Sequence, residues 1–384
     1  MGASLISRGL TVKRSTLAAA ALPAAVVLTL GLSSCAANEQ TGAGSTATGS
    51  DGASSAAAEL TGTLNGAGSS AQQAAQQAWI AGITGSSPDL QVNYDPQGSG
   101  AGRTQFLSGA VQFAGSDAYL KDDELTQAQT RCEGGNAIDI PDYVSPIAIA
   151  YNLEGVDDLK LSPETIAAIF DGKITTWNDP AIAADNAGVS LPATAINPVH
   201  RADESGTTAN FTDYLSKASN GAWTYEPGQE WPASGGEAAQ GTSGVVAAIG
   251  ATAGSIGYAD ESQAKDLGHV QVKVGDAYVG PTAEAAAKAL DEATPASGRP
   301  AGDIALDINR TPTATDAYPV ILVSYLIGCT SYADAADAAN VKGYFTYVTS
   351  EEGQQAAADA AGSAPLSESL RTQITTSLES IKTS

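Results

Sequence analysis

The chain has 384 residues, 43% of them hydrophobic, which exceeds what one ordinary core needs and predicts two lobes with appendages. It carries 42 acidic against 18 basic residues, a formal net charge of -24, and three of the basic residues lie within the first 34 positions. That balance argues against nucleic acid and anionic membrane surfaces as partners, and an anion could be held only by short-range dipoles that overcome the repulsive field.

At the amino terminus Arg8, Lys13 and Arg14 form a basic region, followed by an uncharged apolar run from Ser15 to Leu32. The run closes on Leu32-Ser33-Ser34-Cys35, small residues directly before a cysteine, and resembles the bacterial lipoprotein cleavage box. Residues 1–34 are therefore expected to be a lipoprotein signal peptide, with Cys35 as the lipidated residue. The competing reading is a transmembrane anchor, since about 18 apolar residues can just span a bilayer. Both readings place the remaining chain at the extracytoplasmic face of the cell membrane, and in the first reading only the lipid touches the membrane. Residues 35–58 are rich in Gly, Ser, Ala and Thr with almost no large apolar side chains, and predict a flexible tether. With Cys35 lipidated, Cys132 and Cys329 remain. An even pair in an oxidising compartment predicts a disulfide across 197 positions, two buried free thiols being the alternative.

From Glu59 onward strand-like and helix-like segments alternate, which reads as an α/β fold. Leu60–Leu64 predicts a short strand, Asn65–Ser70 a turn and Ala71–Ile80 a helix. Leu90–Tyr94 predicts a second strand, Gly98–Gly102 a glycine turn and Arg103–Ser108 a helix. Val111–Ala114 follows as a strand ending in Gly115-Ser116-Asp117. Tyr143–Leu153 is a long apolar strand suited to crossing between lobes. Ser162 caps a helix with Pro163 in its first turn, running to about Phe170. A third glycine turn, Ala202–Thr207, opens a helix Thr208–Lys217. Gly254–Tyr258 is a small-residue strand, Val320–Ile327 a second long apolar strand that returns the chain to the first lobe, and Tyr332–Lys382 is mostly helical.

Three of these turns share one design, small residues and hydroxyls immediately before a helix. A helix N-terminus presents unpaired N–H groups and roughly half a positive charge. Glycine lets the backbone approach a ligand, and Ser or Thr hydroxyls add donors, so each turn is a ready anion site. Ser69, Ser70 and Ala71 stand at the first, Ser99 at the second, and Ser205, Gly206 and Thr207 at the third. Any one of them alone is more often an ordinary helix cap. Arg201 lies four residues before Ser205, and its guanidinium matches two oxygens of a tetrahedral anion. Asp203 is placed to clamp it, while a surface ion pair is the plainer reading of the same arginine. Asp117 is a carboxylate beside an anion site, which makes sense for a ligand that keeps a proton. Phosphate near neutral pH can donate a hydrogen bond to it, whereas sulfate has no proton to give. A turn aspartate capping the following segment is the alternative.

These segments together resemble the phosphate-binding protein of the phosphate-specific ABC importer. The resemblance is carried by Leu64-Asn65-Gly66-Ala67-Gly68-Ser69-Ser70, by Gly98-Ser99, by Phe113-Ala114-Gly115-Ser116-Asp117-Ala118 and by Arg201-Ala202-Asp203-Glu204-Ser205-Gly206-Thr207. The stretch Ile169-Phe170-Asp171-Gly172-Lys173-Ile174-Thr175-Thr176-Trp177-Asn178-Asp179-Pro180-Ala181-Ile182 is similar to the family as well. It implies a two-lobed periplasmic-binding-protein type II fold with two hinge strands, residues 59–143 plus 315–384 forming one lobe and 144–314 the other. It also implies a monomer that closes on phosphate and delivers it to membrane permease subunits. Ser69, Ser70, the Ala71 backbone, Ser99, Arg201, Ser205, Gly206 and Thr207 fall on the family's ligand donors, and Asp117 on its proton-accepting aspartate. The chain departs from the family where relatives often have Thr-Phe-Pro and it has Ser70-Ala71-Gln72. It departs again where they have Gly-Ser-Ser-Gly-Gly and it has Gly98-Ser99-Gly100-Ala101-Gly102.

No enzyme reading matches as well. Gly66-x-Gly68-x-x-Ala71 with Asp95 is a weak dinucleotide fingerprint. The only two histidines, His200 and His269, stand in no metal-ligand spacing, so no metal or cofactor is expected. Neither a nucleophile elbow nor a P-loop occurs. Sulfate, molybdate or a similar oxyanion is the rival ligand class, and a non-catalytic surface lipoprotein the rival function.

Overall fold

In the computed structural model the structure describes residues 59–384. The expected signal peptide, the lipidated Cys35 and the tether at 35–58 lie outside the described residues. The main sheet has nine strands. In chain order these are β1 (Gly62–Gly68), β2 (Leu90–Asp95), β3 (Phe113–Ser116), β4 (Ala137–Tyr151), β5 (Asn197–Arg201), β6 (Glu237–Ala239), β7 (Ser255–Asp260), β8 (Gly268–His269) and β9 (Ile321–Cys329). They lie in the order β2-β1-β3-β9-β4-β7-β5-β6, with β8 also paired to β4. β1 pairs in parallel with β2 and β3, and β5 in parallel with β6 and β7. The two parallel halves are joined by β9 and β4, which run antiparallel to each other.

β4 changes partners along its length. Ala137–Pro146 pairs with β9, and Ile147–Tyr151 pairs with β7. Every residue of β4 and of β9 is buried, which explains why both read as apolar runs rather than alternating ones. β4 starts six residues earlier than the apolar run predicts, because Asp139 and Asp142 break the apolar pattern while pairing with β9 continues on either side of them. A bulge between Ser324 and Tyr325 of β9 leaves Asp142 as the extra residue opposite.

Helices α1 (Gln73–Ser86), α2 (Ser99–Leu107) and α3 (Asp122–Arg131) flank the first parallel half, and α4 (Pro163–Phe170) and α5 (Pro180–Asp185) follow β4. Next come α6 (Gly206–Ala218), α7 (Gly241–Ala251) and α8 (Ala283–Leu290), and the carboxyl end folds as α9 (Ala335–Thr349), α10 (Glu351–Ala361) and α11 (Glu368–Leu378). One large core carries Trp79, Tyr143, Trp177, Phe211 and Tyr258, and a smaller one gathers Ala148, Val199, Val245 and Ile249.

The glycine-rich segments differ from expectation in one consistent way. Asn65–Gly68 belongs to β1 rather than to a turn, because Gly66 lies under the Phe113 ring, where a Cβ would come within 2.1 Å of it. α2 begins at Ser99 instead of Arg103, and Gly102 is a contact point, a Cβ there falling 2.4 Å from Gly68 Cα. Only Gly98 (φ 108°) needs the left-handed backbone at that junction. α6 likewise starts at Gly206, two residues early. In contrast, α1 starts at Gln73, two residues late, so Ser69-Ser70-Ala71 forms a tight turn ahead of it. Ser162 occupies the N-cap of α4, but its hydroxyl bonds Thr165 Oγ1 at 2.7 Å rather than a backbone amide. Cys132 and Cys329 form a disulfide with a Cα–Cα separation of 5.2 Å, joining the end of α3 to the end of β9.

Candidate functional site

The strand ends of the two parallel halves point at each other, and their loops place all nine candidate residues in the interior of the chain. Asp117 follows β3 directly and is 3% exposed. Its backbone N–H donates to Ser99 Oγ (3.2 Å), and its Oδ2 accepts from Ser99 Oγ (3.5 Å) and from Thr207 Oγ1 (3.2 Å). Its Oδ1 accepts from Ser324 of β9 in a short bond. Burial pushes the Asp117 carboxyl above its ordinary range, against the opposing pull of the Ser324 and Ser69 hydroxyls, the Arg201 charge and the Thr207 hydroxyl. Hydroxyl donors from both halves therefore converge on one buried acid.

Gly206 and Thr207 occupy the first turn of α6, where N–H groups lack partners within the helix. Ser205 is the N-cap, its Oγ accepting from Thr208 N at 3.1 Å, and its own N–H donates to Gln229 O at 3.0 Å. Glycine at 206 is required by contact: a Cβ would lie 2.7 Å from both Asp117 Cβ and Ser99 Oγ. Asn210, one turn on, donates to Asp117 O at 2.6 Å and accepts from Arg310 at 2.5 Å.

Arg201 ends β5. Its Nε donates to Asp203 Oδ1 at 2.7 Å and a second guanidinium nitrogen donates to Asp203 Oδ2, so the clamp is bidentate and the guanidinium pose is fixed. Partial burial pushes the Asp203 carboxyl up, but the Arg201 hydrogen bonds and charge outweigh it and hold the carboxyl below its usual range. The clamp is therefore ionised at neutral pH. Asp203 also accepts from Gly241 N at 3.0 Å, and the Tyr258 hydroxyl accepts from Arg201 N at 3.2 Å. His200 stacks on Trp231 with ring centroids 5.1 Å apart.

The first turn is arranged differently from the other two. Ser69 N donates to Gly115 O at 2.8 Å, and Ser69 Oγ accepts from Ala71 N at 3.1 Å. Ser70 contacts α7: its Oγ lies 3.0 Å from Thr242 Oγ1 and accepts from Thr242 N at 3.1 Å. The Ser70 carbonyl accepts from Gln263 Nε2 at 2.8 Å. Ser99, Asp117, Gly206 and Thr207 are thus in direct contact and the Ser69 hydroxyl acts on Asp117 as well, while Ser70 connects to Arg201 through Thr242, Gly241 and Asp203.

Several residues of this arrangement escaped the sequence reading. Ser324 had a signal, as the one small polar side chain inside the apolar run Val320–Ile327. Arg103 is a second buried arginine at the site, donating to Glu124, to Ser116 Oγ and, at 2.8 Å, to Gln229 Oε1. Thr242, Gln229 and Asn210 gave no local signal, since the bonds that tie them to Ser70, Arg103 and Asp117 span 172, 126 and 93 positions. A cavity of about 270 Å³ flanks Asp117, lined among others by Asn210, Lys121, Lys217 and Arg310. Among the described residues no cluster of His, Cys, Asp and Glu could hold a metal ion, and no helix is long and apolar enough to cross a membrane.

Comparison with known proteins places this geometry. The PBP superfamily domain matches residues 53–352. The phosphate-binding protein PstS2 of Mycobacterium bovis (strain BCG / Pasteur 1173P2) is 37% identical over 326 residues, covering 83% of this chain and 87% of that protein. The phosphate-binding protein PstS of Xylella fastidiosa (strain 9a5c) is 33% identical over 303 residues, or 77% and 79% of the two chains. Among solved structures, a high-affinity periplasmic phosphate-binding protein (PfluDING) with bound phosphate matches with a TM-score of 0.67 at 24% identity, covering 82% of this chain and 93% of that one. A phosphate-binding protein from Stenotrophomonas maltophilia matches with a TM-score of 0.65 at 23% identity, with the same coverage. These structural likenesses establish the two-lobed fold, and the sequence identities establish the kinship: the chain belongs to the PBP superfamily, within its family of phosphate-binding proteins.

Proposed function

We propose that this protein binds inorganic phosphate between its two lobes and delivers it to the membrane permease subunits of an ABC importer. In this reading it is a carrier and not an enzyme, held at the extracytoplasmic face of the membrane by a lipid on Cys35. Residues 59–143 plus 315–384 form one lobe and 144–314 the other, with β4 and β9 as the hinge strands.

The observation that carries the reading is Asp117. A buried carboxylate beside a clamped arginine and the N-termini of α2 and α6 disfavours a fully deprotonated anion and favours one that retains a proton. The ligand donors are Ser69, Ser70, the Ala71 backbone, Ser99, Arg201, Ser205, Gly206 and Thr207. They are mostly neutral dipoles, which hydrogen-bond more strongly in a water-excluded cleft than in solvent and so offset the repulsion of the net charge. The raised Asp117 carboxyl fits an acceptor kept away from water.

Calorimetric titration of the full chain in detergent with phosphate and with sulfate tests the reading. Phosphate is expected to bind tightly and sulfate at least a hundredfold more weakly. Asp117→Asn is expected to narrow that gap by roughly tenfold or more, in line with a charge-assisted hydrogen bond of about 1.5–3 kcal/mol. Equal binding of the two anions by the unaltered chain would assign the site to oxyanions in general, and unchanged selectivity in the variant would remove Asp117 from its role.

A further inference from the structure

We infer that Thr242, at the start of α7, is a positioning residue that aims the Ser70 hydroxyl proton at the bound anion. The inference rests on the phosphate reading and adds to the site a residue drawn from a segment 172 positions away.

Proton accounting on the Ser70–Thr242 pair supports it. Both side chains lie in the interior, Ser70 at 4% and Thr242 at 1% exposure. A serine hydroxyl has two lone pairs and one proton. One lone pair of Ser70 Oγ accepts from Thr242 N at 3.1 Å. Thr242 Oγ1 stands 3.0 Å from the same oxygen, and only one proton can lie between the two oxygens. When Thr242 supplies that proton, both Ser70 lone pairs are occupied and the Ser70 proton must point elsewhere. Neither hydroxyl has another hydroxyl or carbonyl partner among the described residues, so one of the two hydroxyl protons is left without an acceptor in the protein, and it is the Ser70 proton when Thr242 donates. A buried donor without an acceptor is costly, and an anion oxygen in the cleft removes that cost.

The start of α7 comes close to Ser70. Gly241 marks how near it comes: a Cβ there would sit 3.8 Å from Ser70 Oγ. Gly241 N also donates to Asp203, so one helix start orients the Ser70 hydroxyl and braces the acid that clamps Arg201. Because Thr242 and Ser70 come from opposite halves of the sheet, the proton is aimed only when the cleft is shut.

The test is a phosphate titration by calorimetry on the full chain carrying Thr242→Val, Thr242→Ser, Ser70→Ala and the double change Ser70→Ala/Thr242→Val. Thr242→Val keeps the shape and removes the hydroxyl, and is expected to weaken binding roughly tenfold. Thr242→Ser is expected to restore most of that loss, which a purely packing role for the threonine methyl would not do. In the Ser70→Ala background, Thr242→Val is expected to add less than twofold. A full tenfold loss in that background would mean that Thr242 contacts the anion itself, and no loss in the unaltered background would mean that it contributes nothing; either result overturns the inference. An unaltered chain that fails to bind phosphate would instead refute the functional reading beneath it.

Discussion

Burial pushes the Asp260 carboxyl up to about 7, although it accepts from the Tyr143 hydroxyl at 3.1 Å and from Ser262 N at 3.1 Å. The residue ends β7 and caps the short turn that carries Gln263 to the Ser70 carbonyl, so its charge state matters beyond its own position. The folded chain holds this proton up to about pH 7, whereas an unfolded aspartate releases it near pH 3.9. The contribution of Asp260 to stability is therefore complete below about pH 4 and is lost as pH rises toward 7, a window worth roughly 4 kcal/mol at most. Thermal unfolding of the phosphate-free protein across pH 4–8 should show a steeper decline in the unaltered chain than in Asp260→Asn. Parallel curves for the two proteins would mean that Asp260 titrates normally. Asp117 obeys the same sign: its raised carboxyl stays ionised only above a pH higher than an exposed aspartate requires, so phosphate capture should fail in acid earlier than an ordinary carboxylate would allow.

Helix starts are the working parts of this fold, and glycine sets how closely they meet. Gly206 of α6 rests against Asp117 and Ser99, two residues contributed by the other half of the sheet. In an isolated helix Gly206→Ala would be favourable by about 1 kcal/mol, since alanine is the better helix former. Here the added methyl would stand 2.7 Å from two neighbours and force the halves apart. The expected outcome is a melting temperature no lower than that of the unaltered chain in the absence of ligand, with phosphate affinity reduced at least tenfold. Differential scanning calorimetry and titration measure the two quantities separately, and retention of full affinity would show that α2 and α6 need not approach so closely. The element boundaries tell the same story. The glycines of 98–102 and 206 carry turn propensity, and a propensity reading ends helices at them. Packing against Gly68, Glu204 and Asp117 overrides that preference, so α2 and α6 begin earlier than their composition suggests.

At the scale of the whole molecule, the Cys132–Cys329 bridge closes a loop of 197 positions. That loop contains all of β4 and runs to the end of β9, hence both strands that join the two parallel halves. Chain-entropy arithmetic assigns such a bridge about 5 kcal/mol as an upper value. Denaturant unfolding with and without reductant, or of the Cys132→Ser/Cys329→Ser variant, is expected to show a loss of roughly 3–5 kcal/mol. A change below about 1 kcal/mol would mean that the unfolded chain gains little freedom when the bridge is cut. A second staple is Arg310, 3% exposed, which donates to Pro319 O and Ile321 O at the start of β9 and to Asp213 and Asn210 of α6. Through Asn210 it reaches Asp117 O, so β9, α6 and Asp117 share one hydrogen-bonded chain.

The amino-acid sequence by itself determined the α/β alternation, the two long buried strands, the paired cysteines and the three hydroxyl-bearing turns. These depend on local patterns: apolar runs, glycine beside serine, and an arginine two residues from its aspartate. Tertiary structure alone decided what faces those turns. Ser324 reaches Asp117 from 207 positions away, Asn210 from 93, and Thr242 reaches Ser70 from 172. Hydrogen bonds at such separations are fixed by how the sheet halves meet, and nothing in the spacing of neighbouring residues records that meeting.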